Sequence, residues 1–246
     1  MSTNALEFGT PAEWAAQQKW KRRGTAMKSY GKAGIGVAVC VAVLVALSLP
    51  TNLNTTVRLA IAAVALVVGS IYAYKAISAG RHAWTRSVHA QVGVRSEKQV
   101  RSVIRRVKHV AAVYGAKLGP RQGDVDLILV DPSLAVGAVE IKTGGGKVQV
   151  SGNQVRAGRK TIGRDPIGQT LKAARRLDQS LNIESLPVLC IPGMTNRPFV
   201  TEQGVVVCSA KQLVSTLTHY GHPQFSHPQE AEDACTSLWR KHQQYS

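Results

Sequence analysis

Two kinds of hydrophobic pattern run along this chain. Near the start the apolar residues are continuous: Ala33 to Leu49 and Leu59 to Tyr74 hold almost nothing but Val, Ala, Leu, Ile and Gly, separated by the polar turn Pro50-Thr-Asn-Leu-Asn-Thr-Thr. From Ser96 onward they are periodic. Val100, Val103, Ile104, Val107 and Ala111 recur at three- and four-residue spacings, which predicts an amphipathic helix from Ser96 to Val113, ended by Gly115 and Gly119-Pro120. Two short apolar runs follow, Asp126-Leu-Ile-Leu-Val and Ala-Val-Glu140-Ile-Lys142, with Asp131-Pro132-Ser133 and Gly137 supplying turn chemistry between them. They read as a β-hairpin, and a third short strand is expected at Val148–Val150.

Asp165-Pro166 then offers an N-cap and a first-turn proline for a second helix, packed through Ile167, Leu171, Ala174 and Leu181. Leu186–Ile191 and Gly204–Cys208 read as buried strands, Ser209 caps a helix reaching His219, and a last helix covers about Gln229 to Gln243, with Trp239 as its packing anchor. Helix, three strands, helix, two strands and helix give an α/β class: a mixed sheet flanked by helices. The expected organisation is a basic segment at 1–32, a helical hairpin at 33–79, a linker at 80–94, the globular domain at 95–220, and a linker with a helix at 221–246.

The two continuous runs are slightly short of the roughly 20 residues that span a bilayer, and flanking small residues extend the second. Lys19, Lys21, Arg22, Arg23, Lys28 and Lys32 precede the pair, Lys75, Arg81 and Arg86 follow it, and only Arg58 borders the turn. This bias predicts a multi-pass anchor in the cytoplasmic membrane with both termini and the domain in the cytoplasm. A helical hairpin buried in a soluble protein and a cleaved signal segment are the competing readings. Pro11 to Trp20, with its basic residues, is a candidate for a short helix lying on the membrane surface.

The chain has 246 residues and a formal net charge of +17. Residues 95–246 alone carry 21 Lys and Arg against 12 Asp and Glu, which points to a polyanionic partner such as nucleic acid, or else to a solvated basic surface. Cys40, Cys190, Cys208 and Cys235 are scattered and form no C-x-x-C pair, as expected of isolated thiols in a reducing compartment. His219, His222, His227 and Cys235 fit no common zinc spacing, and Ser209, Ser215 and Thr218 lack a nucleophile elbow. Thr143-Gly-Gly-Gly-Lys147 lacks the spacing of a phosphate-binding loop.

The acidic residues of the hairpin carry the candidate chemistry. Side chains alternate along a strand, so Glu140 and Lys142 share a face, as do Asp124 and Asp126. A hairpin gathers Asp126, Glu140 and Lys142 at one end of a sheet, where two carboxylates and an ammonium can hold a hard divalent cation and orient a water, or can simply form an ion-paired cluster. Glu97 falls on the inward face of the first helix, either directed at that site or favouring the positive end of the helix dipole. Gln169, Lys172 and Arg176 form a polar stripe on the second helix.

Together these residues resemble the nuclease-related domain family, a branch of the PD-(D/E)xK restriction-endonuclease-like fold. The resemblance covers about residues 93 to 215: Gly93-x-x-Ser96-Glu97, Gly-Asp-Val-Asp126, Val-Glu140-Ile-Lys142, the Gly-rich turn, and Asp-Pro-x-x-Gln169. It departs in having Ser96 where the family usually has Gly. The resemblance implies that Asp126 and Glu140 hold Mg²⁺ (or Mn²⁺), with Asp124 a weaker alternative, and that Lys142 orients the attacking water or stabilises charge growing on phosphate. It makes Glu97 an auxiliary carboxylate and Gln169 a residue that orders the site, while Lys147, Lys172 and Arg176 are candidate DNA contacts. The function expected is metal-dependent hydrolysis of DNA by a membrane-anchored protein. The alternative is a non-catalytic, membrane-tethered DNA-binding or DNA-transfer accessory. Oligomeric state is not legible at this level.

Overall fold

The computed structural model describes the backbone of residues 6–8, 11–48, 54–120 and 124–245, and the side chains of these except 11–23, 26, 46–48, 58 and 83–92. The chain divides into two compact units, Trp14–Gln91 and a second made of Met1–Glu13 with Val92–Ser246.

The first unit is a pair of helices, contained in α1 (Pro11–Ser48) and α2 (Thr55–Ile104). Asn54 starts α2 by accepting the Thr56 N–H at 3.1 Å. The pair is antiparallel and packs large residues against small ones: Tyr72 lies over Gly36, Cys40 over Gly69, and Tyr30 over Gly80. Cys40 Sγ also donates to the Ala65 carbonyl at 3.4 Å. The outward faces are apolar and exposed, with Ile35, Val39, Leu59, Val64 and Val67 all more than half exposed. Met27–Val45 and Thr55–His82, with mean hydropathies of 1.5 and 1.9, are long and apolar enough to cross a membrane. The short surface helix expected at Pro11–Trp20 is instead the beginning of the long helix α1; its side chains there, and most of the connecting turn, lie outside the described residues.

The second unit is a mixed α/β structure. Its strands are β1 (Leu6–Phe8), β2 (Ala111–Ala116), β3 (Val125–Val130), β4 (Val136–Ile141), β5 (Gly145–Gly146), β6 (Val148–Ser151), β7 (Gln154–Ala157), β8 (Lys160–Ile162), β9 (Leu186–Cys190), β10 (Gly193–Met194), β11 (Phe199–Val200) and β12 (Val206–Cys208). Its helices beyond the end of α2 are α3 (Pro166–Leu181), α4 (Leu213–Tyr220) and α5 (Pro228–Tyr245). Seven strands form one sheet in the order β1-β2-β3-β4-β9-β12-β11. β2, β3 and β4 are antiparallel neighbours, whereas β4, β9 and β12 run parallel.

Both faces are covered, so the central strands are apolar on both sides. One layer packs Val100 and Ile104 of α2 and Leu213 and Leu217 of α4 against Leu127, Leu129 and Val139. The other packs Ala173 and Leu177 of α3 and Cys235 and Leu238 of α5 against Ile128, Val130 and Ala138. Trp239 joins this second layer, stacked on His242 with ring centroids 4.8 Å apart. All four cysteines are free thiols, three of them buried.

The structure departs from the sequence expectation at the end of α2. The helix stops at Ile104, a turn with His109 in the left-handed region follows, and Ala111–Ala116 is a strand where the spacing predicts a helix reaching Val113. Sheet pairing on both sides of β2 outweighs the helical spacing of its alanines and valines. Val148–Ser151 is a strand as expected, but it belongs to a separate three-stranded sheet, β6-β7-β8. Ser209 caps a 3-10 turn, Ala210–Gln212, before α4 begins.

β1 is an element that the sequence pattern does not predict. It adds in parallel to β2, and Glu7 Oε2 accepts from Arg101 at 2.8 Å and from Arg105 at 3.0 Å, fixing the strand to the end of α2. Asp131 makes the hairpin turn: its Oδ1 accepts from the Ser133 and Ala135 N–H groups, each at 3.0 Å, and its Oδ2 from Thr218 Oγ1 at 2.6 Å. Gly137 lies inside β4 rather than in the turn. A Cβ there would stand 2.9 Å from Leu217 Cδ1, so the missing side chain sets how closely α4 approaches the sheet. Gly137→Ala is accordingly expected to lower unfolding stability by about 1–3 kcal/mol in denaturant titration, with Gly137→Val lowering it further.

Candidate functional site

The site forms where the β3–β4 ladder ends. The last paired residues are Leu127 and Val139, so the next position sets Asp126 directly opposite Glu140. No backbone pair forms there, and Asp126 Oδ2 instead accepts the Ile141 N–H at 2.8 Å. The other side of β3 is irregular at the same level. The ladder pairs Tyr114 with Leu127 and Ala116 with Val125 but skips Gly115, which has φ 61°. A left-handed residue opposite Asp126 turns the strand locally, and glycine takes that conformation without strain.

Glu140 is buried, with 10% of its side chain accessible, on the face of β4 shared with Ala138 and covered by α3. Two residues on, Lys142 points the same way, and its Nζ donates to Glu140 Oε1 at 2.6 Å. The Lys142 N–H bonds to the Cys190 carbonyl at 3.0 Å, continuing the β4–β9 pairing past the strand end. Lys142 stays partly exposed, with 26% of its side chain accessible, so its ammonium is reachable from solvent.

Burial pushes the Asp126 carboxyl up to about 7 from an ordinary 3.8. The negative charge of Glu140, and more weakly that of Glu97, pushes the same way, against the Ile141 N–H and the Lys142 ammonium. Burial likewise raises the Glu97 carboxyl. Glu97 is therefore within electrostatic reach of the strand acids although it comes from α2. Its neighbour Ser96 bonds Oγ to Thr143 Oγ1 at 3.0 Å, linking α2 to the residue after Lys142. Sequence reasoning marks Ser96 only as a departure from Gly and passes over Thr143; two small hydroxyl residues beside motif residues are the available signal.

The remaining expected residues sit elsewhere. Gln169 is exposed in the first turn of α3, which Asp165 caps by accepting the Gly168 N–H at 2.9 Å. Lys172 is exposed and Arg176 half-buried on the same helix, and Lys147 is exposed between β5 and β6. Asp124 is exposed and acts on His242 of α5; it is not among the groups that perturb Asp126. Gly123 lies outside the described residues. The Gly-rich turn serves a backbone contact, since β5 pairs in parallel with β10 and a Cβ on Gly193 would stand 2.8 Å from the Gly144 carbonyl oxygen.

The donor set suits a hard divalent cation: two opposed carboxylates, one desolvated, at a strand end open enough to expose Lys142. Among the described residues, no group of three His, Cys, Asp or Glu side chains comes together to hold a metal, so water and substrate oxygens must complete any coordination shell. In the metal-free protein the opposed acids are a source of strain. An Asp that titrates near 7 when folded and near 3.8 when unfolded binds more protons in the folded state between those values, so stability falls as pH rises across that window. Asp126→Asn keeps an acceptor for the Ile141 N–H and removes the charge. At pH 8 without divalent cations it is expected to raise unfolding stability by about 1–3 kcal/mol, a gain that disappears near pH 4 in denaturant titrations.

Residues 92–195 match the family model described as the nuclease-related domain. No curated protein and no solved structure matches the chain. The matched segment begins before Glu97 and ends after β10, so it contains Asp126, Glu140, Lys142 and Gln169. Within the second unit, residues 92–195 are thus similar to the nuclease-related domain.

Proposed function

We propose that the chain is a membrane-anchored, Mg²⁺-dependent nuclease that hydrolyses phosphodiester bonds in DNA, its domain being a restriction-endonuclease-like version of the mixed α/β fold. The observation that carries this reading is the meeting of Asp126, Glu140 and Lys142 where β3 and β4 cease to pair. Asp126 and Glu140 would hold Mg²⁺ (or Mn²⁺), which when bound polarises phosphate oxygens and lowers the pKa of water. The protein's own groups do the rest. Lys142 turns its ammonium toward the attacking water or the phosphate oxygen that gains charge. Glu97 adds negative potential from α2, which favours cation binding. Gln169, exposed at the start of α3 and apart from the three charged groups, would contact substrate rather than the cation.

The anchor rests on two exposed apolar helices whose flanks both enter the same folded unit, since the chain leaves that unit after Glu13 and re-enters at Val92. If the pair spans a bilayer, its two ends emerge on one side, and the excess of Lys and Arg at those ends makes that side cytoplasmic. The second reading, a tethered DNA-binding protein without catalysis, draws on the Lys142–Glu140 ion pair and the lack, among the described residues, of a third acid grouped with these two.

Full-length protein in detergent, rather than a truncation from residue 95, is the material to assay, because β1 is part of the sheet. Incubated with single-stranded, duplex and branched DNA and with RNA, it is expected to cleave DNA with Mg²⁺ and not with chelator. Glu140→Ala should reduce cleavage by about 100-fold or more while leaving the unfolding transition cooperative. Binding without cleavage of any form would instead establish the tethered binder. For the anchor, Thr55→Cys in a Cys40→Ser background is expected to react with a membrane-impermeant maleimide in intact cells, whereas Ser78→Cys should react only after lysis. Equal labelling of the two would remove the hairpin topology.

A further inference from the structure

The segment between Lys142 and Asp165 holds five cations, Lys147, Arg156, Arg159, Lys160 and Arg164, with no acidic residue and no aromatic ring. It folds as the antiparallel sheet β6-β7-β8. One face is buried: Val148, Val155 and Ile162 pack with Ile167 in the first turn of α3, and with Leu189 and Ile191 at the end of β9. The opposite face is polar and exposed. Its register sets Gln149, Arg156 and Thr161 in a row across the three strands, with Ser151 beside Gln154 in the next row. Arg159 and Lys160 stand exposed at the β7–β8 connection, and Lys147 and Arg164 at the two ends of the sheet. Among the described residues none of the five pairs with a carboxylate.

We propose that this sheet is a clamp for the phosphate backbone of a nucleic-acid duplex, holding it so that one phosphodiester bond reaches Asp126, Glu140 and Lys142. The inference rests on the nuclease reading above and assigns that site's substrate class and the residues that hold it. The exposed side chains of the polar face, Gln149, Ser151, Gln154, Arg156 and Thr161, have phosphate-contact chemistry, guanidinium, amide or hydroxyl, which positions a backbone without reading bases. A platform for single strands would offer rings on which bases stack, and this segment has none.

The clamp is fixed, not appended. Asn196 accepts the Val148 N–H through Oδ1 at 2.7 Å and donates through Nδ2 to the Val148 carbonyl at 2.9 Å, occupying both backbone groups of the first β6 residue. The sheet begins six residues after Lys142, and its buried face packs on Leu189 of β9, the residue paired with Glu140, so it borders the site through chain and core alike. That continuity favours a nucleic-acid backbone over anionic lipid headgroups, which exposed cations of this kind would also attract.

The test uses full-length protein in phosphatidylcholine nanodiscs with chelator, so that binding is measured without cleavage. Affinity for a fluorescent DNA duplex is read by anisotropy over a KCl titration. For the variant carrying Arg156→Gln, Arg159→Gln, Lys160→Gln and Arg164→Gln, the slope of log affinity against log salt should fall by about 3 to 4, close to 0.9 for each phosphate that is no longer neutralised. Affinity at fixed low salt should drop by about tenfold or more. A variant with Lys in place of the three arginines should bind nearly as wild type, since the charges remain. An unchanged slope in the glutamine variant overturns the clamp, and so does tighter binding of single strands than duplex. Loss of co-sedimentation with phosphatidylglycerol vesicles, with DNA affinity intact, assigns the face to lipid and also overturns it. Binding that depends on the sheet while wild type cleaves nothing with Mg²⁺ supports the clamp and rejects the nuclease reading; cleavage with sheet-independent binding rejects the clamp alone.

Discussion

Two carboxylates at directly opposed positions of adjacent antiparallel strands repel each other, and a fold keeps such a pair only where something compensates. In this chain the pair is Asp126 and Glu140, and the structure around it is arranged to tolerate the repulsion. The β3–β4 ladder stops one residue short, the freed Ile141 N–H turns to Asp126, and Lys142 folds back on Glu140. Gly115 loosens the neighbouring strand at the same level. Compensation is incomplete, because Asp126 still holds its proton to about pH 7. A metal-free site that resists full ionisation has the most to gain from a divalent cation, and this links the strain in the sheet to the chemistry proposed for it.

The surroundings supply rigidity on one side and access on the other. Helices cover both faces of the sheet, Asp131 ties the β3–β4 turn to α4 through Thr218, and Gly137 lets α4 lie close against β4. The strand ends bearing the acids are thereby held by packing at the opposite end of the hairpin. Beyond Lys142 the chain leaves the main sheet, pairs Gly145–Gly146 with Gly193–Met194, and builds the basic three-stranded sheet before returning at Asp165. One continuous stretch, from Glu140 to Gln169, thus carries Glu140, Lys142 and the five cations of the basic segment.

The hairpin is legible in the sequence because acidic residues interrupt apolar runs at positions where a buried strand has no reason to keep them. The second helix is legible from its cap, and Asp165 does hold the Gly168 N–H. The strand Ala111–Ala116 is not, because Val107 and Ala111 continue the four-residue spacing of the helix before them and Gly115 mimics a helix terminator. Only pairing with both β1 and β3, distant in sequence, decides for a strand there. β1 itself is three residues long and carries no periodic signal. The basic sheet is half visible: Val148 reads as a strand, while Gly152-Asn153 and Gly158-Arg159 are turn signals for two more that apolar spacing alone does not bring out, and both glycines take positive φ. The grouping of Asp126 with Glu140 and Lys142 follows from hairpin register alone, whereas the electrostatic reach of Glu97 depends on where α2 packs and cannot be read from spacing.

The most direct test of the opposed-acid account is divalent cation binding by full-length protein, followed by titration calorimetry with Mn²⁺ at pH 8 and again at pH 6. The account predicts saturable binding at pH 8 that weakens at pH 6, where Asp126 is protonated, and that is lost in both Asp126→Asn and Glu140→Gln. Binding of equal strength in either variant, or none in the wild-type protein at pH 8, would contradict it.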